Sequence, residues 1–224
     1  MKSNQPKPKP NVLLNPKWKQ RTHDTLSHHI SKYTASHYVN GFIGDSMMER
    51  WLSTGSDIWS KQYQANSANW GVGGDGVEHL LYRLTGTKGL DMSQSPAGDL
   101  LLGFLDNVKS MDTIHLMIGT NNIDKRDSAH IFEAILKIIG LIKEKLSGCS
   151  PRFIVYGILP RKDVKKERID SLNKLLENYV SGCADPKLEY QYFGDRVSLD
   201  VDYDDHVHLN KHGYRKWSEF IGTH

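Results

Sequence analysis

Apolar positions along this chain follow two periods. Five short runs are rich in apolar, aromatic or β-branched residues and read as strands: 38–43 (YVNGFI), 64–70 (QANSANW), 113–118 (TIHLMI), 153–159 (FIVYGIL) and 188–193. QANSANW is a poor strand by propensity, and reads as one because a glycine cluster follows it at once. Between these runs the apolar positions fall at helical spacing. Residues 16–31 do so weakly, through Trp18, Thr22, Leu26 and Ile30. Residues 51–64 read as helix and loop, with Trp59 and Tyr63 as core contacts. Residues 77–84 show Val77, Leu80, Leu81 and Leu84, and 100–108 show Leu101, Leu102, Leu105 and Val108 as a short amphipathic helix. The clearest stripe is Ile131, Ile135, Ile138, Ile142 and Leu146, capped by Asp127-Ser128 and ended by Gly148 and Pro151. A further helix over 167–180 turns Ile169, Leu172, Leu176 and Tyr179 inward, and 211–221 close the chain. Residues 85–96 read as a polar surface loop. Strands alternating with helices predict a parallel sheet covered on both faces, with right-handed crossovers: a three-layer α/β/α, doubly wound domain of about five strands.

At 224 residues, the chain is long enough for one sizeable core and short for two. Lys2, Lys7, Lys9, Lys17, Lys19 and Arg21 all precede the first acid, Asp24. Removing these six from the net charge of +3 leaves a body of about −3. The expected organisation is a basic, Pro/Lys-rich extended arm over 1–22 and one domain over 23–224. A mildly acidic body argues against nucleic-acid binding. No window has the apolar length of a membrane span, and the N-terminus lacks the apolar stretch of a secretory signal. Two cysteines, Cys149 and Cys183, make no disulfide framework, so a reducing, cytoplasmic setting is expected. His28-His29 lacks ligands at metal-binding spacing.

The polar clusters carry the chemistry. Gly44-Asp45-Ser46 ends the first strand and runs straight into a helix, placing a hydroxyl at the carboxyl edge of the sheet, where open α/β sheets bind ligands. Gly71-Val72-Gly73-Gly74-Asp75-Gly76 follows the second strand. It is no phosphate loop, since no Gly-Lys-Ser/Thr follows, and its glycines suit a close approach of backbone N–H groups to a substrate. Gly119-Thr120-Asn121-Asn122 follows the third strand, and a late loop carries Asp204-Asp205-His206-Val207-His208. Together these supply a nucleophile, amide donors, a base and a carboxylate, the parts of acyl transfer through a serine. Ser46 is the candidate nucleophile, His208 the base and Asp205 the group that orients it. The Ser46 and Gly74 N–H groups and the Asn121 side chain are the candidate oxyanion donors. Asp45 reads as an anchor of the turn, Asn122 as a cap of the segment after it, and His115, mid-strand, as a satisfied core histidine. This chemistry needs no cofactor and no metal.

The blocks FIGDSM, NWGVGGDG, GTNN and DHVH, in that order, resemble the SGNH (GDSL-type) hydrolase superfamily. GDSMMERW, LLYRL, YGILPR and HLNKHGY make the chain most similar to the intracellular platelet-activating factor acetylhydrolase catalytic subunits. The resemblance implies a flavodoxin-like sheet, hydrolysis of short acyl, often acetyl, esters of a small-molecule or lipid kind, no metal, and scope for a homodimer. It departs from the pattern in the length of the 85–96 loop and in Asn40, which interrupts the first strand. Neighbours of the candidate site residues, Met47, Thr120 and Val207, are expected to line an acyl pocket, where bulk favours a small acyl group. The alternatives are a carbohydrate O-acetyl esterase with the same mechanism, a non-enzymatic interaction protein on this scaffold, and a metal phosphodiesterase using His206 and His208.

Overall fold

The structure, a computed structural model, describes residues 16–86 and 103–222. The chain runs α1 (Pro16–Lys32), β1 (His37–Gly44), α2 (Ser46–Glu49), a 3₁₀ turn (Arg50–Leu52), α3 (Ser56–Gln62), β2 (Ser67–Gly71) and α4 (Val77–Thr85). It continues through β3 (Ser110–Met117), α5 (Ser128–Lys145), β4 (Arg152–Tyr156), α6 (Lys166–Gly182), β5 (Leu188–Gln191), a 3₁₀ turn (Gly194–Arg196) and α7 (Lys211–Gly222). The five strands form one parallel sheet in the order β2-β1-β3-β4-β5, with Phe42 opposite Asn69 and His115, and His115 opposite Ile154. This is the flavodoxin-like doubly wound order. Its direction reverses at β1 and β3, and the carboxyl ends of those two strands frame the crevice where such sheets bind ligands.

One face of the sheet is an aromatic layer. Phe42 on β1 stacks on His115 of β3 at 4.5 Å and meets Trp59 and Tyr63 edge-on, while Trp217 of α7 packs against Trp51, Tyr156 and Phe193. Such edge-on and stacked pairs add about 0.5–1.5 kcal/mol each beyond the area they bury. On the other face α4, α5 and α6 lie side by side, with α1 against α4. The isoleucine stripe of α5 (Ile131, Ile135, Ile138 and Ile142) is fully buried there, and the Asp127 side chain caps the helix by accepting the His130 N–H at 2.7 Å. No helix among the described residues is long and apolar enough to cross a membrane.

Asn40 does not break β1. Its side chain donates to Ser67 Oγ at 3.2 Å, and its carbonyl oxygen faces His115 Nε2 at 3.3 Å. His115 Nδ1 faces the Tyr156 hydroxyl at 3.0 Å. The acceptor on Asn40 fixes the proton on Nε2, which leaves Nδ1 to accept from Tyr156. Burial pushes the His115 pKa down to about 3, so the ring is a neutral, satisfied core group.

Several local expectations change. The amphipathic helix over 100–108 is not formed in the described part, 103–108. There Asp106 Oδ2 takes the Gly103 N–H, and i to i+3 bonds bend the chain into turns that bury Phe104, Leu105 and Val108. The 85–96 loop lies largely outside the described residues. β4 ends at Tyr156, before the 159 expected, because the Asn173 side chain of α6 bonds both the N–H and the carbonyl of Ile158 and pulls the chain off the sheet. On α6, Val180 is buried and Tyr179 is 39% exposed, the reverse of the inward Tyr179 expected. α1 runs unbroken from Pro16 to Lys32, in line with the helical spacing over 16–31, so residues 16–22, expected in the extended arm, are helical.

Candidate active site

β1 delivers Ser46. The strand's last residue, Gly44, lies so close to β3 that a Cβ there would stand 1.9 Å from the Met117 carbonyl oxygen, so only glycine fits. Asp45 then caps α2, with Oδ1 accepting the Met47 N–H at 3.0 Å. Its carboxyl is fully buried, and Oδ2 has no hydrogen-bond partner among the described residues. Burial raises its pKa to about 7, opposed by the Met47 N–H and more weakly by Thr120, and reinforced by the nearby Asp75 carboxylate.

The late loop comes back to this point. Tyr203 and Leu209 form a bridge, Asp204 N–H bonds the His208 carbonyl at 2.8 Å, and Asn210 N–H bonds the Asp202 carbonyl. Asp202 is completely buried and accepts from Ser198 N–H, His212 Nδ1 and Lys216 Nζ at 2.6–2.8 Å, which locks the loop to α7. So held, His208 lies with Nε2 2.8 Å from Ser46 Oγ and Nδ1 2.7 Å from Asp205 Oδ2. Asp205 Oδ1 also accepts the N–H groups of Val207 and His208, both at 2.7 Å. Burial alone would raise the Asp205 pKa. The His208 side chain and the two backbone N–H groups outweigh it and hold the carboxylate far below its usual range. Arg50, on the 3₁₀ turn after α2, stands 3.7 Å from Asp204 and 3.9 Å from Asp205.

The two remaining clusters adjoin each other. The turn after β2 is closed by the Asp75 N–H donating to the Val72 carbonyl at 3.1 Å, and Gly74 has φ +79°. The Asn121 side chain donates to the Asp75 carbonyl at 2.9 Å. That uses one of its two amide protons. Beneath the turn Arg83 is wholly buried: it pairs with Asp75 at 2.8 Å and donates to the carbonyls of Trp70 and Gly44. Arg161 donates to the Thr120 carbonyl at 2.6 Å while gripping Asp163 with its other two nitrogens.

Ser46, His208 and Asp205 are thus one hydrogen-bonded chain, and Asn121 joins the Gly74 turn. Met47 and Thr120 are buried, each with its carbonyl held, by Tyr214 and Arg161 respectively. Val207 is half-buried, and its N–H serves Asp205. Asn122 does not cap the segment after it. Its side chain accepts the Val77 N–H at 3.0 Å and donates to Glu78, capping α4 instead. His206 faces Asp163 at 3.5 Å, away from the partners of His208, and no group of three or more metal-binding side chains occurs among the described residues. The sequence reading gave no role to Arg83, Arg161 or Asp202. For Arg83 a signal existed: it lies on the inward face of α4, three residues after Leu80, where a charge must find a buried partner.

A family model described as the GDSL-like lipase/acylhydrolase family matches residues 42–216. The chain is 26% identical over 184 residues to the human platelet-activating factor acetylhydrolase IB subunit alpha1, covering 77% of this chain and 69% of that one. A solved structure from Streptococcus pneumoniae, named for platelet activating factor, superposes with a TM-score of 0.68 at 18% identity, over 95% of this chain and 96% of that one. A carbohydrate esterase family 3 structure from Talaromyces cellulolyticus has the same fold, with a TM-score of 0.54 at 18% identity over 83% and 95%. The chain belongs to the GDSL-like lipase/acylhydrolase family and is a hydrolase that acts on esters.

Proposed function

We propose that the protein is a serine esterase that hydrolyses short-chain, acetyl-like acyl esters through an acyl-enzyme. The observation that carries this reading is the continuous hydrogen-bonded chain from Asp205 through His208 to Ser46, at 2.7 and 2.8 Å, between groups 162 residues apart. In the first half-reaction Ser46 Oγ attacks the ester carbonyl while His208 Nε2 takes its proton. The electron pair moves onto the carbonyl oxygen, which the N–H groups of Ser46 and Gly74 and the free amide proton of Asn121 receive. The tetrahedral intermediate collapses with transfer of the proton from His208 to the leaving alkoxide. A water molecule, deprotonated by the same nitrogen, then releases the acid and restores Ser46. Asp205, kept ionised by its hydrogen bonds, balances the imidazolium in both halves.

The preference for a small acyl group is supported by the burial of Met47, which follows the nucleophile in sequence, and of Thr120, which precedes Asn121. The test is hydrolysis of p-nitrophenyl acetate and butyrate by wild type, Ser46→Ala and His208→Ala, with and without EDTA. The reading requires loss in both variants, indifference to EDTA and preference for acetate. Activity that survives Ser46→Ala and is abolished by EDTA would overturn it.

A further inference from the structure

The turn that carries Gly74 has a freedom the rest of the site lacks. Residues 72–75 form a β-turn closed by the bond from Asp75 N–H to the Val72 carbonyl. Gly73 keeps a φ outside the positive range, while Gly74 has φ +79°, which is the signature of a type II turn. Types I and II differ by rotation of the central peptide, here the carbonyl of Gly73 joined to the N–H of Gly74, through about 180°. With glycine at both central positions no Cβ opposes either form. The turn's own sequence therefore leaves the direction of the Gly74 N–H open.

A contact to its central peptide comes from outside. Arg21 of α1 donates from Nη2 to the carbonyl oxygen of Gly73. In a trans peptide the carbonyl and the N–H point opposite ways, so a hand on one aims the other. We propose that Arg21 is a positioning residue for the oxyanion hole, selecting the peptide orientation that turns the Gly74 N–H toward the substrate carbonyl oxygen. A charged donor holds this peptide more firmly than a neutral one, and its field also polarises the peptide, strengthening the N–H on the far side. The inference rests on the reading of the Gly74 N–H as an oxyanion donor. It also changes the standing of the first helix: Arg21 lies upstream of residues 42–216, which carry the family match, yet reaches into the machinery they contain. α1 is then part of the enzyme body.

Arg21 is exposed, so replacing it leaves the core untouched. Losing a donor outright costs about 10²–10³ in kcat, and misdirecting one costs part of that. The experiment compares kcat and KM on p-nitrophenyl acetate for wild type, Arg21→Ala and Arg21→Lys, with Asn121→Ala and Ser46→Ala alongside. Arg21→Ala is expected to lower kcat about tenfold with KM within about twofold. Arg21→Lys should recover most of the loss, and guanidinium ion at sub-denaturing concentration should restore Arg21→Ala in part while leaving wild type unchanged. A wild-type kcat in Arg21→Ala beside a collapsed Asn121→Ala overturns the inference. So does a loss confined to KM, or a loss that follows a fall in melting temperature with no response to guanidinium. Full activity in Ser46→Ala overturns the serine reading, and this inference with it.

Discussion

The side-chain amide of Asn121, at the end of β3, donates to the carbonyl of Asp75 at 2.9 Å and so joins the two turns that flank β1 on the sheet edge. One residue thereby holds the glycine turn, and on the proposed mechanism its second amide proton serves the oxyanion.

Asn121→Ala removes both functions. The expected result is a fall in kcat of about 10²–10³ on p-nitrophenyl acetate, with a smaller change in KM, because the oxyanion is the partner that develops in the transition state. Steady-state kinetics on the variant measure this. A change confined to KM would assign Asn121 to ground-state binding instead.

Asp205→Asn keeps the size of the side chain and removes its charge. The Val207 and His208 N–H groups can still bond Oδ1, so the loop is expected to hold its shape. The His208 ring loses both the anion that balances it and the partner that fixes its tautomer. A fall in kcat of about 10²–10⁴ is expected, with the melting temperature little changed. Calorimetry and kinetics on the same preparation separate the two effects.

Asp45 predicts a pH dependence of stability. Its folded pKa is about 7, against an ordinary value of 3.8. Between those values the folded chain keeps a proton that the unfolded chain has lost, so stability from this group falls as pH rises from about 4 to 7. Asp45→Asn still accepts the Met47 N–H and removes the titration. The variant should gain on wild type by a few kcal/mol, about that order, at pH 8, and by much less at pH 5. Urea midpoints at the two pH values test it, and an equal offset at both would contradict it.

Arg83 and Asp75 form a fully buried ion pair. Arg83→Met alone strands the Asp75 carboxylate and is expected to cost about 3–5 kcal/mol. Adding Asp75→Asn should return a large part of that, since the stranded charge is then gone. Denaturant unfolding of the two single variants and the double variant gives the coupling directly. Additive losses would mean that Arg83 stabilises chiefly through the carbonyls of Trp70 and Gly44.

The sheet and its helices were legible because buried strands such as TIHLMI and the isoleucine stripe of α5 carry undiluted periodic signals. The grouping of Ser46 with Asp205 and His208, and of Asn121 with the Gly74 turn, was foreshadowed by polar clusters that each follow a strand or sit in a late loop. What escaped had its cause elsewhere in the chain. The early end of β4 depends on Asn173, fifteen residues on. Asn122 caps a helix 45 residues upstream, a contact that no local pattern encodes. Residues 103–108 have helical composition, yet Asp106 bonds back to Gly103 and turns the chain toward β3. Arg21 looked like the last member of a basic arm, yet its bond to Gly73 ties it to the body.

Ser46 and His208 stand 162 residues apart and meet only when the 202–210 loop is locked to α7 by Asp202. On the proposed mechanism, Ser46 has no base until the 202–210 loop and α7 have docked. A chain clipped before α7 is then expected to lack esterase activity. In refolding, recovery of esterase activity should then be the final signal to return, after the sheet's own spectroscopic signature.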